Sequence, residues 1–244
     1  MIVYIGLDDT DNKESRGTGF KSRQLGELID AKKLGSLVGI TRHQLFVHPD
    51  IPYTSQNSAA CLEVQCTDME PLIPLCEEFL IQESEEGSDA GLCITQSSML
   101  SKEHRKFGWA VKRKMLNQEK VQMQVEGQSI YLKGITGTKN GIIGAFAAVA
   151  LRSTGNDGRF IWLRGLRSLR SGIYSSFELY KMMDIDNIVN FEGIAVEETD
   201  NIFIGDWVRP LLKNHKKTIL VDEVRNYEKY QWETVSKHFI NSVS

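Results

Sequence analysis

Four cysteines stand among 244 residues, Cys61, Cys66, Cys76 and Cys93, and none forms a CxxC pair. Their spacing excludes a zinc ribbon or finger and leaves them as reduced, largely buried thiols. Proline is as sparse, at five, and there is no low-complexity tract, so no linker is marked. No apolar run approaches the length of a membrane span. No basic segment followed by an apolar signal region opens the chain, so a cytoplasmic location without membrane contact is expected. Charge of one sign is also missing in any excess. A net charge of -3 excludes a broad, non-specific grip on nucleic acid while leaving room for a local basic patch. With 41% hydrophobic and 25% charged residues, the chain can bury a real core in one large domain or two small ones.

Strand and helix patterns mix along the whole length, which predicts an α/β or α+β class. "MIVYIGLD" reads as a buried strand, and "FKSRQLGELIDAKK" has helical spacing at Phe20, Leu25, Leu28 and Ile29. "GSLVGITRHQLFV" and "AACLEVQC" read as strands around a turn-rich loop, "PDIPYTSQNS", where Pro49 and Pro52 block regular structure. Helices are expected over "MEPLIPLCEEFLIQES" and over the basic "SKEHRKFGWAVKRKML". "VQMQVEGQSIYLKGI" looks like a hairpin turning at Glu126-Gly127. "GIIGAFAAVALRST" is apolar all round and predicts a helix in the domain interior. Beyond it come a strand over "GRFIWLRGL", a helix around "SSFELYKMMD", several short strands, and a closing helix over "YEKYQWETVSKHFI".

The first strand runs into "LDDTDN". Three carboxylates within four residues, Asp8, Asp9 and Asp11, repel one another and raise each other's pKa. A divalent cation resolves that repulsion, and magnesium takes one or two carboxylates together with phosphate oxygens and water. The competing reading is a solvated turn in which Asp11 or Asn12 makes an Asx-turn or a helix cap. "SRGTGFKSR" follows, with Gly17 and Gly19 freeing the backbone, hydroxyls at Thr18 and Ser22, and cations at Arg16, Lys21 and Arg23. A helix start here could accept an anion.

Gly137, Gly141 and Gly144 punctuate a loop holding Thr138, Lys139 and Asn140. The spacing matches neither the P-loop nor the dinucleotide fingerprint. The physics is similar: glycines let backbone approach a phosphate, and the N-terminus of the next helix favours negative charge. Gly137 to Gly141 make the better phosphate candidate, and Gly144 reads as close helix packing. Of the polar loop before "AACLEV", Asn57 is the best candidate for touching a nucleotide or the water shell of a metal, while His48 reads as structural. "GSDAG" supplies a further carboxylate, Asp89, or simply a tight turn. Arg164, Arg167 and Arg170 line a phosphate-bearing substrate or form a solvated face.

Taken in order, "IGLDDTDN", "HPDIPYTSQNSAA", "GSDAG" and "GIIGAFAAVAL" resemble the N-terminal part of the archaeal tRNA-isoleucine agmatinylcytidine synthetase family. That family uses ATP and magnesium to activate an anticodon cytidine and then joins agmatine to it. The resemblance implies an α+β fold, a split kinase-like α/β domain (1–58 and 132–244) around a ferredoxin-like insertion (59–131). It implies that Asp8, Asp9 and Asp11 hold magnesium and that Gly137, Thr138, Lys139, Asn140 and Gly141 bind ATP phosphates. Where the family has "GMCTTYL", with a phosphate-accepting threonine, this chain has "GTGFKSRQL", so Ser22 or Thr18 stands nearest that role. Where the family has "TRGNGA", this chain has "TSQNSA", and only Thr54, Asn57 and Ala59 fit. No zinc-ribbon cysteines are present. The expectation is therefore an ATP- and magnesium-dependent phosphotransferase or ligase-like enzyme acting on a small molecule or nucleotide, with tRNA as acceptor only if a partner supplies the grip. Two alternatives stay open: a non-catalytic nucleotide-binding regulator, and an RNA-binding module using Lys112, Arg113 and Lys114 with the series Arg164, Arg167 and Arg170.

Overall fold

The computed structural model of the protein describes residues 1–51, 57–224 and 229–244. Pro52, Tyr53, Thr54, Ser55 and Gln56 of the turn-rich loop lie outside the described residues. The fold is mixed α and β, and the chain divides into two compact units, Met1–Thr154 and Gly155–Ser244.

In the first unit, the elements run β1 (Ile2–Asp8), α1 (Thr18–Ala31), β2 (Ser36–Gln44), β3 (Ser58–Gln65), α2 (Leu72–Glu83), β4 (Gly91–Gln96), α3 (Lys102–Val111), α4 (Gln118–Val125), β5 (Tyr131–Gly134) and α5 (Gly141–Arg152). The strands form an antiparallel sheet in the order β5-β4-β1-β3-β2. β3 pairs with both β1 and β2, so the residues on either side of 58/59 share one sheet.

Strand β1 is covered on both faces. Alternation along it sends Tyr4 and Gly6 toward one helix layer and Val3, Ile5 and Leu7 toward the other. The Tyr4 face meets α5, with α3 and α4 packed over α5 in turn. The opposite face belongs to α1 and α2, which bury Leu25, Ile29, Leu72, Cys76 and Leu80. All four cysteines are free and buried, as expected.

Helix α5 is the interior helix anticipated from its composition, and eleven of its twelve residues are buried. It approaches the sheet at backbone distance. A Cβ on Gly6 would lie 2.0 Å from Ala145 O, and a Cβ on Gly91 would lie 2.1 Å from the Gly141 carbonyl carbon. At its other end, Arg152 forms a buried ion pair with Glu63 of β3.

Two expectations are corrected. Residues 118–125 form helix α4, not the first arm of a hairpin. Asn117 caps it by accepting the Lys120 N–H (3.1 Å), and Val121 is buried in the α3/α5 core. Val121 and Val125 fit a period of two and a spacing of i, i+4 equally; the cap and the core decide for helix. β5 pairs with β4 instead.

The second correction lies in the Gly155–Ser244 unit. This unit contains β6 (Arg159–Trp162), β7 (Gly172–Ser175), α6 (Ser176–Met182), β8 (Asn187–Val189), β9 (Asn201–Ile204), β10 (Leu211–Lys213), β11 (Lys216–Glu223), β12 (Trp232–Thr234) and α7 (Lys237–Val243). The expected closing helix begins only at Lys237, after a Ser236 cap that accepts the Phe239 N–H. Trp232 and Thr234 go into β12, between β11 and β9, where the Trp232 indole donates to Asp200 (2.8 Å). A tryptophan and a threonine favour such a pleated, half-buried surface. β10 and β11 form a hairpin around Asn214 and His215, both left-handed at φ +50° and +62°, the geometry of a type I′ turn. Phe160, Leu179, Ile188, Ile202 and Val221 make its main core. Among the described residues no helix is long and apolar enough to cross a membrane.

The contact of α5 with β1 gives a direct test. Gly6→Ala forces a methyl group into a backbone carbonyl that no side-chain adjustment can move. We expect a loss of about 1–3 kcal/mol, the usual cost of overpacking a core, in urea unfolding followed by circular dichroism.

Candidate functional site

Strand β1 ends at Asp8, on the side of the sheet where α5 begins. A cleft of about 290 Å³ opens there. Asp8, Asp9, Asp11, Asp50 and Asp89 line it, with Lys114 as the cation among its lining residues. Leu45, Ile51, Val111, Met115, Leu116 and Ile143 give it an apolar wall. Asn57, Ser58, Thr18, Asn117, Asn140, Gly141 and Gly144 complete it. Three segments far apart in sequence, the acidic turn, "GSDAG" and the glycine loop, thus meet at one place.

Asp8 sits tightest. A Cβ on Gly144 would lie 1.8 Å from its Oδ2, so the first turn of α5 leaves room for this carboxylate by lacking a side chain. The positive end of a helix dipole is a favourable neighbour for it. Burial nevertheless pushes its pKa well above the carboxylate range, and Asp9 and then Asp11 push it further. Asp9 is raised from 3.8 to about 6, by burial first and then by the charges of Asp89 and Asp11, while an N–H from Asp89 works the other way. Its backbone is left-handed, at φ +51°, an uncommon state for a residue with a side chain.

Asp11 has a different task. Its Oδ1 accepts the Thr18 N–H (3.0 Å) and the Thr18 hydroxyl (2.8 Å), so it caps α1 from outside the helix. Asp11 thus answers the capping reading of this turn. Among the described residues no three acidic, cysteine or histidine side chains converge as a metal cage. Two carboxylates crowded without a counter-charge, Asp8 and Asp9, fit a magnesium ion that brings phosphate and water as its other ligands.

The two hydroxyl candidates separate. Thr18 lines the cleft. Ser22 is fully buried in α1, donates to Thr18 O (2.8 Å) and does not line the cleft.

The glycine loop closes on the segment before β4. Gly141 N–H donates to Asp89 O (3.0 Å), and the Thr136 hydroxyl bridges Ser88 O (2.7 Å) and Ala90 N (2.8 Å). Thr138 donates both its N–H (2.5 Å) and its hydroxyl to the Asp89 carboxylate. The N–H groups of Lys139, Ile142 and Ile143 are taken by carbonyls of the loop itself. Only Asn140 and Gly141 of the five expected phosphate ligands line the cleft; Gly137, Thr138 and Lys139 do not. Asn57 lines it too, while its amide donates to Phe46 O (2.7 Å). His48 stacks on Phe46 and pairs with Asp50, a structural role. Arg164, Arg167 and Arg170 are exposed on turns of the second unit, the solvated face weighed for them.

Several contributors were not singled out from sequence. Asp50 and the apolar wall carry no local signal. Arg42 of β2, which holds the lining residue Ser58, does: it is the one arginine in the strand SLVGITRHQ. Its Nε donates to Ser58 Oγ (2.7 Å), and burial lowers its pKa against an opposing pull from Asp11.

No protein-family model matches the chain. An uncharacterized protein of Methanocaldococcus jannaschii is 27% identical over 151 residues, 61% of this chain and 49% of that protein. Among solved structures, agmatidine synthetase in complex with tRNA(Ile2) and ATP matches with a TM-score of 0.54 and 23% identity, over 62% of this chain and 36% of that one. The same synthetase without ligand gives 0.54 and 22%, over 62% and 35%. A tRNA fluorescent labeling enzyme gives 0.54 and 24%, over 62% and 36%. This chain therefore has the fold of part of agmatidine synthetase. It spans about half the length of the curated relative and about a third of these structures.

The raised carboxyls set a pH dependence. A group whose pKa is higher in the folded state contributes stability that is complete below its unfolded value, here 3.8, and is lost as pH rises through the folded value, about 6 for Asp9. The metal-free protein should melt at a lower temperature at pH 7.5 than at pH 5. Millimolar magnesium should raise the melting temperature at pH 7.5 and leave it unchanged at pH 5. Asp8→Asn should weaken both dependences. Melting by scanning calorimetry across this range checks them.

Proposed function

We propose that this chain is an ATP- and magnesium-dependent phosphotransferase or ligase-like enzyme, acting on a small-molecule or nucleotide acceptor. The observation that carries the reading is the crowded Asp8 and Asp9 pair beside the first turn of α5, at the mouth of a cleft with an apolar wall. The shared fold with a synthetase crystallised with ATP supports it.

In this reading Asp8 and Asp9 hold the cation, which supplies charge neutralisation at the phosphates. Phosphoryl transfer asks a protein mainly for positioning and electrostatics, and the remaining residues provide those. Leu45, Ile51, Val111 and Met115 take the flat, apolar base of the nucleotide and keep water from that side. Lys114 and Asn140 face the phosphates. Asp11 holds the Thr18 hydroxyl by its proton, at 2.8 Å, and Thr18 lines the cleft, which supports Thr18 over Ser22 as the hydroxyl that would receive a phosphate.

Titration calorimetry should find ATP binding that requires magnesium and is lost in Asp8→Asn, with circular dichroism unchanged. Thr18→Val should abolish any self-phosphorylation from γ-labelled ATP, and Ser22→Ala should not. Equal ATP binding by the wild type and Asp8→Asn would overturn the metal assignment. Absence of binding under every condition would overturn the reading as a whole.

One observation favours a second reading, RNA binding. A hollow of about 520 Å³ on α3 is lined by Lys106, Trp109, Ala110, Arg113 and Lys114, and Lys112 lies over the Trp109 ring. Lys114 belongs to both this hollow and the aspartate cleft. Cations around a half-buried ring with one open side suit a single strand, with a base stacked and phosphates paired. The affinity of a short labelled RNA should then fall steeply with salt, and Trp109→Ala should cost about 1–3 kcal/mol. A flat salt response would remove this reading.

A further inference from the structure

We propose that the N–H and hydroxyl of Thr138, which stand behind the cleft-lining carboxylate of Asp89, are an anion seat, and that Asp89 fills the seat as an internal stand-in until a phosphate displaces it. The inference rests on the nucleotide reading above and goes beyond it by assigning Asp89 as a competitor of the ligand.

The loop is shaped around a carboxylate. Thr138 donates through its N–H to Asp89 Oδ1 and through its hydroxyl to Asp89 Oδ2, a two-point grip on one anionic group. Gly137 lies alongside at φ +53°, and a Cβ there would be 1.8 Å from the same Oδ1. Any side chain at 137 would therefore evict the carboxylate. Lys139 follows in the left-handed region at φ +69°, so a strained residue stands directly after the donor pair.

The backbone under Asp89 is fixed independently of its side chain. Gly141 N–H to Asp89 O, Thr136 Oγ to Ser88 O and Ala90 N–H to Thr136 Oγ hold the main-chain atoms of residues 88–90 in place. The Asp89 carboxylate can thus leave by side-chain rotation, with these three bonds intact.

The seat is also in an electrostatic conflict. Asp89 is the largest charged contributor raising Asp9, and no cation is ion-paired with Asp89 among the described salt bridges. A carboxylate that repels its neighbour while holding two good donors is a poor permanent occupant. A phosphate oxygen accepts the same two donors and brings a cation with it. Once released, Asp89 lies beside Asp9, where that cation would be.

The experiment titrates inorganic pyrophosphate, with and without magnesium, into wild type, Asp89→Ala, Asp89→Asn and the double variant Asp89→Ala with Thr138→Val. Calorimetry gives the affinity, and the Thr138 amide signal in nitrogen-15 NMR spectra reports the seat. We expect metal-free pyrophosphate to bind Asp89→Ala about tenfold more tightly than wild type, with Asp89→Asn between them. Adding Thr138→Val should reverse the gain. The Thr138 amide should move on binding in the wild type. Asp89→Asn keeps the size of the side chain, so the comparison stands if the alanine variant folds poorly. Unchanged or weaker binding in both Asp89 variants, or a Thr138 amide that does not respond, overturns the inference. If ATP still binds the wild type in that case, the nucleotide reading survives alone. If neither ATP nor pyrophosphate binds any variant, both fall.

Discussion

Helix α5 meets its sheet through backbone atoms, and the candidate site depends on that contact. Gly6 and Gly91 on the strands face Ala145 and Gly141 on the helix at distances no Cβ would tolerate. Gly144 repeats the device one turn later, against a carboxylate instead of a carbonyl. Three glycine positions thus bring a helix N-terminus, the end of β1 and the start of β4 within reach of one another. Asp8 could not sit in the first turn of α5 if the helix were a side chain's width further away. The anchor at the far end, Arg152 on Glu63, fixes the slide of the helix along the sheet. A glycine that reads as packing in the sequence is in this sense also a site residue, because the space it leaves is where the acid goes.

The same closeness explains why the acidic turn is costly without a ligand. A carboxylate in water has its charge solvated. Asp8 and Asp9 have exchanged much of that solvent for protein, and their nearest charged neighbours are carboxylates. The helix dipole and single N–H groups offset part of the penalty. They do not cancel it, as the raised pKa values record. Asp11, which does serve structure, accepts the Thr18 N–H and hydroxyl at ordinary distances.

Much of this was legible in the sequence, for identifiable reasons. The β1 strand, the apolar α5 and the acidic turn between strand and helix follow from hydrophobic periodicity and local charge, which are properties of short windows. The α+β class follows from the mixture of both periods. What failed was local ambiguity resolved at long range. Val121 and Val125 suit a strand or a helix equally, and only Asn117 and the α5 core decide between them. Trp232 and Thr234 sit in a window of helical composition and are claimed by two neighbouring strands. At the site, Thr18 and Ser22 are one helical turn apart and chemically alike. Both are buried, and only Thr18, at the first position of α1, lines the cleft. Asp50 and Met115 join the cleft because of where their segments end, which no spacing rule encodes.

The glycine loop shows how a sequence signal can be sound in its physics and still need a different occupant. Glycine at 137 does free the backbone to expose a donor to an anion. The anion it meets is Asp89, from the chain itself. Two anionic ligands cannot use one donor pair, so an unliganded protein and a phosphate-bound one would have to differ at this side chain. That requirement is modest, since the main chain on both sides is pinned by bonds that do not involve the carboxylate. It also links the halves of the cleft. Asp89 bears on Asp9 through charge and on Thr138 through hydrogen bonds, so a cation arriving at one end and a phosphate at the other both act on the same rotatable group. A site built this way would favour the two arriving together over either alone, which is the form in which a magnesium nucleotide exists.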